Sequence, residues 1–205
     1  MRAIVTAFAG MALALLLGAC SAGTVEPVTD ADMALGPPGA KVTVVEYASV
    51  SCPVCAEWNN TNWDAFKKKY IDTGRVHYVM REALTHDPII ASSGFLIARC
   101  AGKDKYFDVV EALFRQRDAI EASPSPRDNL LAIAKSAGGM NDEQFQSCIG
   151  DAKALSAIRA RWENYMAKDQ INSTPTFVIN GKQYVGDISM DQMDQAIAAA
   201  EQGKP

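Results

Sequence analysis

The chain has 205 residues, 48% of them hydrophobic and 21% charged, with a formal net charge of −4 and five cysteines. That is the balance of one globular domain, which can bury roughly 70% of its unfolded surface and needs no metal or staple merely to fold. Collagen-like, disordered and polytopic membrane classes are excluded, and without a long basic run so is a nucleic-acid surface.

Arg2 precedes an almost wholly apolar stretch, residues 3–17. As a helix it rises about 22 Å, too short for a hydrocarbon core of roughly 30 Å, so residues 1–19 read as a secretory signal peptide. The stretch ends Leu17-Gly18-Ala19-Cys20. This resembles the bacterial lipobox, whose Cys is thioether-linked to diacylglycerol and becomes the first residue after cleavage. Cys20 is thus expected as a lipid anchor on the periplasmic side of the cell envelope; the alternative is an ordinary signal peptide cut nearby. Residues 20–40, rich in Gly, Pro, Ala, Thr and acidic side chains, read as a lipidated N-terminus and flexible tether, leaving a domain over 41–205.

Residues 42–48 are β-branched and apolar at nearly every position, as in a strand buried on both faces. Cys52-Pro53-Val54-Cys55 follows, and Pro53 suits the first position of a helix that continues over 56–70. A second strand, 76–81, completes a βαβ unit. Residues 88–149 are helical, with helices at 89–101, 106–115 and 126–137 and a short fourth opened by a capping box at Asn141 and Gln144. A long helix spans 151–170. Strands at 176–179 and 183–185 flank Asn180-Gly181, a strong hairpin signal, and Ser189 caps a last helix to about residue 201.

Two cysteines at the start of a helix that follows a buried strand point to redox chemistry. Free backbone N–H groups and the helix dipole favour an anion at Cys52, the expected attacking thiolate, and Cys55, one turn on, is placed to resolve the mixed disulfide. A zinc site needs about four ligands, and only His77 and His86 are at hand. No metal and no cofactor are expected.

The order Leu35-Gly36, the 42–47 strand, Cys52-Pro53-Val54-Cys55 and Ser173-Thr174-Pro175-Thr176-Phe177 before an Asn-Gly hairpin resembles the DsbA-like thiol–disulfide oxidoreductases. The resemblance implies an α/β thioredoxin fold with a helical insertion, about residues 88–150, between the βαβ and ββα halves. It also implies disulfide exchange with unfolded or thiol-containing secreted proteins and recycling by a DsbB-like or DsbD-like membrane partner. Pro175 matches the family's cis-proline, with Thr174 offering its backbone to substrate; Glu46 matches a buried acid able to relay the Cys55 proton, the alternative being a solvent-facing strand-edge Glu. Val54 stands where the strongest oxidases carry His, so the disulfide is expected to be less oxidising than theirs. The leading reading is a dithiol oxidase. A reductase or isomerase, or a redox-inactive chaperone or accessory lipoprotein, is the alternative. With no dimerisation segment apparent, a monomer is expected.

Cys100 and Cys148 remain. Both lie on helix faces expected to point into the insertion core, which in an oxidising envelope suggests a second, structural disulfide; two buried free thiols are the alternative.

Overall fold

The computed structural model describes residues 25–203. A five-stranded mixed sheet has the order β1-β3-β2-β4-β5, with β1 Met33–Leu35, β2 Val42–Ala48, β3 Val76–Glu82, β4 Thr176–Ile179 and β5 Lys182–Val185. β2 and β3 run parallel across α1, Pro53–Phe66, which continues through a π-helical turn, Lys67–Ile71. β4 lies antiparallel to β2, and β5 returns beside β4. Between β3 and β4 come α2 Pro88–Cys100, α3 Lys103–Arg115, α4 Arg117–Glu121, α5 Pro126–Ser136, α6 Asp142–Ile149 and α7 Ala152–Lys168; α8, Met190–Glu201, closes the fold.

Both sheet faces are covered, which explains why β2 and β3 read as continuous apolar runs rather than alternating ones. On one face Val44, Tyr78, Met80 and Phe177 pack with Trp58, Trp63 and Phe66 of α1 and Ile197 of α8. On the other, Val45, Tyr47 and Val79 meet Trp162 and Tyr165 of α7. The insertion helices share the first core and pack on the βαβ unit chiefly through α3 against α1. A Cβ added at Gly94 of α2 would come within 2.8 Å of the Val50 side chain, so only glycine lets this helix approach the segment before Cys52 so closely.

One expectation is corrected. Residues 25–40, expected as part of a flexible tether, are fastened to the domain as a strap. β1 pairs with the edge of β3, and Gly36 takes a φ of +77° where any Cβ would collide with the Val76 carbonyl. The buried Arg81 of β3 organises the rest. Its guanidinium donates to Asp32 at 3.2 Å, Asp169 at 3.0 Å, the Tyr47 hydroxyl at 2.8 Å and the carbonyls of Glu26 and Pro27 at 2.7 and 3.1 Å. A buried cation needs such partners, and the strap supplies three of the five.

Candidate active site

The segment after β2 turns sharply, with the Cys52 N–H donating to the Ser49 carbonyl at 3.0 Å. Cys52 is then the N-cap of α1, with extended backbone angles, and Pro53 begins the helix. No acidic side chain occupies the first turn, so the positive end of the helix is left to the sulfur. Cys52 retains 7% exposure; Cys55 retains none. The Cys52 thiol is pulled from near 9 down to about 5, chiefly by the hydrogen bond from Cys55, then by Thr174 and the backbone N–H groups of Cys55 and Val54, against the opposing effect of burial. Burial drives Cys55 the other way, well above the ordinary thiol range, and Cys52 beside it adds to the rise.

The Thr174–Pro175 peptide bond is cis, and the Thr174 carbonyl oxygen lies 3.6 Å from Cys52 Sγ. The Thr174 hydroxyl is 2.8 Å from that of Thr85. Beneath the thiols, Glu46 is 1% exposed. Tyr78 donates to its Oε2 at 2.6 Å, while Oε1 has no hydrogen-bond partner among the described residues. Burial raises the Glu46 carboxyl to about 7, despite the Tyr78 hydrogen bond, with the charge of Cys52 a smaller contribution. The solvent-facing alternative for Glu46 is thereby set aside.

The thioredoxin family model matches residues 28–199, most of the chain. The chain belongs to the thioredoxin family. This thioredoxin-family protein is 35% identical to a Rickettsia conorii protein named for protein-disulfide oxidoreductase activity, over 84% of this chain and 61% of that one. It thus spans about three fifths of the length of the curated relatives it matches. Among solved structures, alpha-DsbA1 of Wolbachia pipientis superposes with a TM-score of 0.77 at 24% identity, covering 86% of this chain and 94% of that one. Oxidised BdbD of Bacillus subtilis gives 0.75 at 23%, covering 84% and 94%. The fold is therefore DsbA-like, the α/β thioredoxin architecture with a helical insertion.

The structure brings Cys52, Cys55, Glu46, Thr174 and Pro175 of this thioredoxin-family protein to one place. Cys100 and Cys148 are joined by a disulfide elsewhere, between the ends of α2 and α6. Their orientation differs from expectation. Cys148 faces inward, but Cys100 is exposed, because α2 ends there and its last turn leaves the core. Cys20 and the signal segment lie outside the described residues. Among the described residues, no three His, Cys, Asp or Glu side chains are grouped to hold a metal, and no helix is long and apolar enough to cross a membrane.

Residues around the site that sequence reasoning missed are Tyr78, Thr85, Ser51 and Arg117. Ser51 Oγ lies 2.8 Å from the Thr85 carbonyl and accepts from the Asp87 N–H at 3.2 Å. Arg117 Nε, from the insertion, donates to the Ser51 carbonyl at 3.0 Å, and its Nη2 meets His86 Nε2 at 3.0 Å. Only Tyr78 left a local signal. Two-residue alternation along β3, with Val44 paired to Tyr78 and Glu46 to Met80, puts Tyr78 on the Glu46 face.

Proposed function

We propose that the protein is a thiol–disulfide oxidoreductase of the bacterial envelope, working on secreted protein thiols as a dithiol oxidase. The observation that carries this is the asymmetry of the pair: a thiolate-favouring Cys52 at the mouth of the site and a wholly buried Cys55 one turn behind it. A client thiolate attacks the Cys52 sulfur of the Cys52–Cys55 disulfide, and Cys55 leaves as a thiolate that Glu46 protonates. A second client thiolate then attacks the mixed disulfide and expels Cys52 as a stable thiolate. The client gains one disulfide and the enzyme two reducing equivalents, which a DsbB-like membrane partner removes. Extended clients dock on the Thr174 backbone beside Pro175, within a rim where Val54, Ile89 and Val185 are exposed. Cys20 tethers the domain to a membrane through lipid, and the Cys100–Cys148 bridge is structural.

Reduction or isomerisation is the second reading, favoured by Val54, whose side chain donates no hydrogen bond to the Cys52 thiolate. The test is the equilibrium of Cys52–Cys55 with glutathione. A potential well above about −180 mV supports the oxidase, and one near −270 mV the reductase. Insulin reduction in the presence of dithiothreitol should be accelerated by the wild type and not by Cys52→Ser. Equal rates would overturn the enzymatic reading altogether.

A further inference from the structure

The buried charges of the strap have no part in thiol chemistry, yet they are costly to assemble. From residue 26 onward the strap is held at almost every step. The Glu26 N–H donates to Asp169 at 2.7 Å, Arg81 holds the Glu26 and Pro27 carbonyls, and Lys103 and Arg99 reach the carbonyls of Asp30 and Ala31 at 3.4 and 3.1 Å. Val25 packs against the core beneath α7. The proposed anchor, Cys20, is separated from Val25 by residues 21–24 alone. Five Cα steps of chain reach at most about 18 Å. A domain of this size has a radius of gyration of about 16 Å, hence a diameter near 40 Å. A leash of 18 Å does not pass around such a body, whereas the twenty free residues read from sequence would reach roughly 25 Å and let it tumble.

We infer that the strap fixes which face of the domain meets the lipid bilayer: the one where the strap enters beside the C-terminal end of α7. This rests on the lipid-anchor reading of Cys20. The surface there suits a bilayer headgroup region. Val28 and Met166 are 38% and 42% exposed, two of the few large apolar side chains left open to solvent, and the Lys168 ammonium lies 3.3 Å from Glu26 between strap and helix. Open apolar side chains, beside a Lys168–Glu26 ion pair whose charges offset each other, match the boundary between headgroups and acyl chains. The other exposed apolar residues, Val54, Ile89 and Val185, belong to the thiol site or its rim and are left for clients.

The test uses the chain from Cys20 onward with Cys52–Cys55 oxidised, so that Cys20 is its free thiol. Cys20 is coupled to a maleimide-headgroup lipid in phosphatidylcholine vesicles, and hydroxyl-radical footprinting is read by mass spectrometry. Oxidation of Met166 and Val28 should fall at least threefold on coupling, while Val54, Ile89 and Val185 stay within experimental error of the uncoupled protein. A twenty-residue Gly/Ser spacer after Ala22 should restore solution rates at Met166. Unchanged Met166 oxidation on coupling overturns the inference, as does protection that survives the spacer. Because the lipid is attached chemically, the outcome is separate from natural lipidation. Mass spectrometry of the membrane-extracted protein decides that, and an unmodified Cys20 there would overturn the anchor reading alone.

Discussion

Reduced and oxidised forms of this protein should differ in stability by an amount set largely by Cys52. In the folded reduced chain the thiol sits near 5, against about 9 when free of its surroundings. Each pKa unit is about 1.4 kcal/mol, so the folded state favours the thiolate by up to about 5 kcal/mol, less to the extent that solvent at the mouth screens it. The depressed value fixes the sign. The contribution is complete above pH 9, shrinks as pH falls, and is gone below pH 5. At pH 7 roughly half of the upper bound remains, about 1–3 kcal/mol. The oxidised protein has no such group, so the reduced form's stability should climb with pH from 5 to 9 relative to it. Thiolate absorbance near 240 nm should titrate with a midpoint near 5 in the wild type and vanish below pH 8 in Cys52→Ala. Urea unfolding of the reduced protein from pH 5 to 9 gives the energy independently. A thiolate midpoint near 8, or parallel stability curves for the two redox forms, would refute the reasoning.

Glu46→Gln should flatten a different pH dependence. The carboxyl stays protonated in the fold up to about 7, so its contribution to stability falls by about 3 kcal/mol between pH 4.5 and 7 and then levels; denaturant titrations of the variant showing the same slope would remove Glu46 as its source. On the proposed chemistry the same variant should form mixed disulfide with a client peptide more slowly, visible on acid-quenched non-reducing gels, because the departing Cys55 thiolate loses its proton donor. Replacing both Cys100 and Cys148 by Ser opens a loop of 48 residues and should cost about 4 kcal/mol on the chain-entropy account, with insulin reduction retained below the lowered melting point. Arg81→Met leaves Asp32 and Asp169 as buried carboxylates without their cation and should cost about 3–5 kcal/mol; hydrogen exchange should then quicken first over residues 26–35, and an unchanged strap would show that β1 pairing alone holds it.

Where a signal is local, the sequence reading and the structure coincide. The β-branched stretch became β2, Val42–Ala48, and Pro53 became the first residue of α1. Asn141 and Ser189 formed capping boxes with Gln144 and Gln192, and Asn180-Gly181 turned the β4–β5 hairpin with both residues at positive φ. Where an element exists only through a distant partner, the sequence is silent. β1 has three residues and no periodicity, and its place depends on the open edge of β3 and on Arg81, far along the chain. α4 is five residues long and was not foreseen, although it brings Arg117 to Ser51. Thr85 looked like an ordinary loop residue, since only the fold sets its hydroxyl against Thr174. The two thiols were found because their chemistry is written in three residues of spacing. Among the groups around them, Glu46 and Thr174 were reached through the family resemblance alone, whereas Ser51, Thr85 and Arg117 left no local signal, because only the fold brings their segments together.

Those segments also explain how two cysteines one helical turn apart acquire opposite characters. Both stand near the positive end of α1, so the helix alone would lower both. What separates them is depth. Cys52 lies at the N-cap, where backbone N–H groups, Cys55 and Thr174 all point at its sulfur and water reaches its outer side. Cys55 faces the sheet over Glu46, wholly enclosed, and the charge that Cys52 holds so well is itself a reason for Cys55 to keep its proton. A buried carboxyl near pH 7 under that second thiol is therefore suited to the task the first thiol does not need, moving a proton through a space without water.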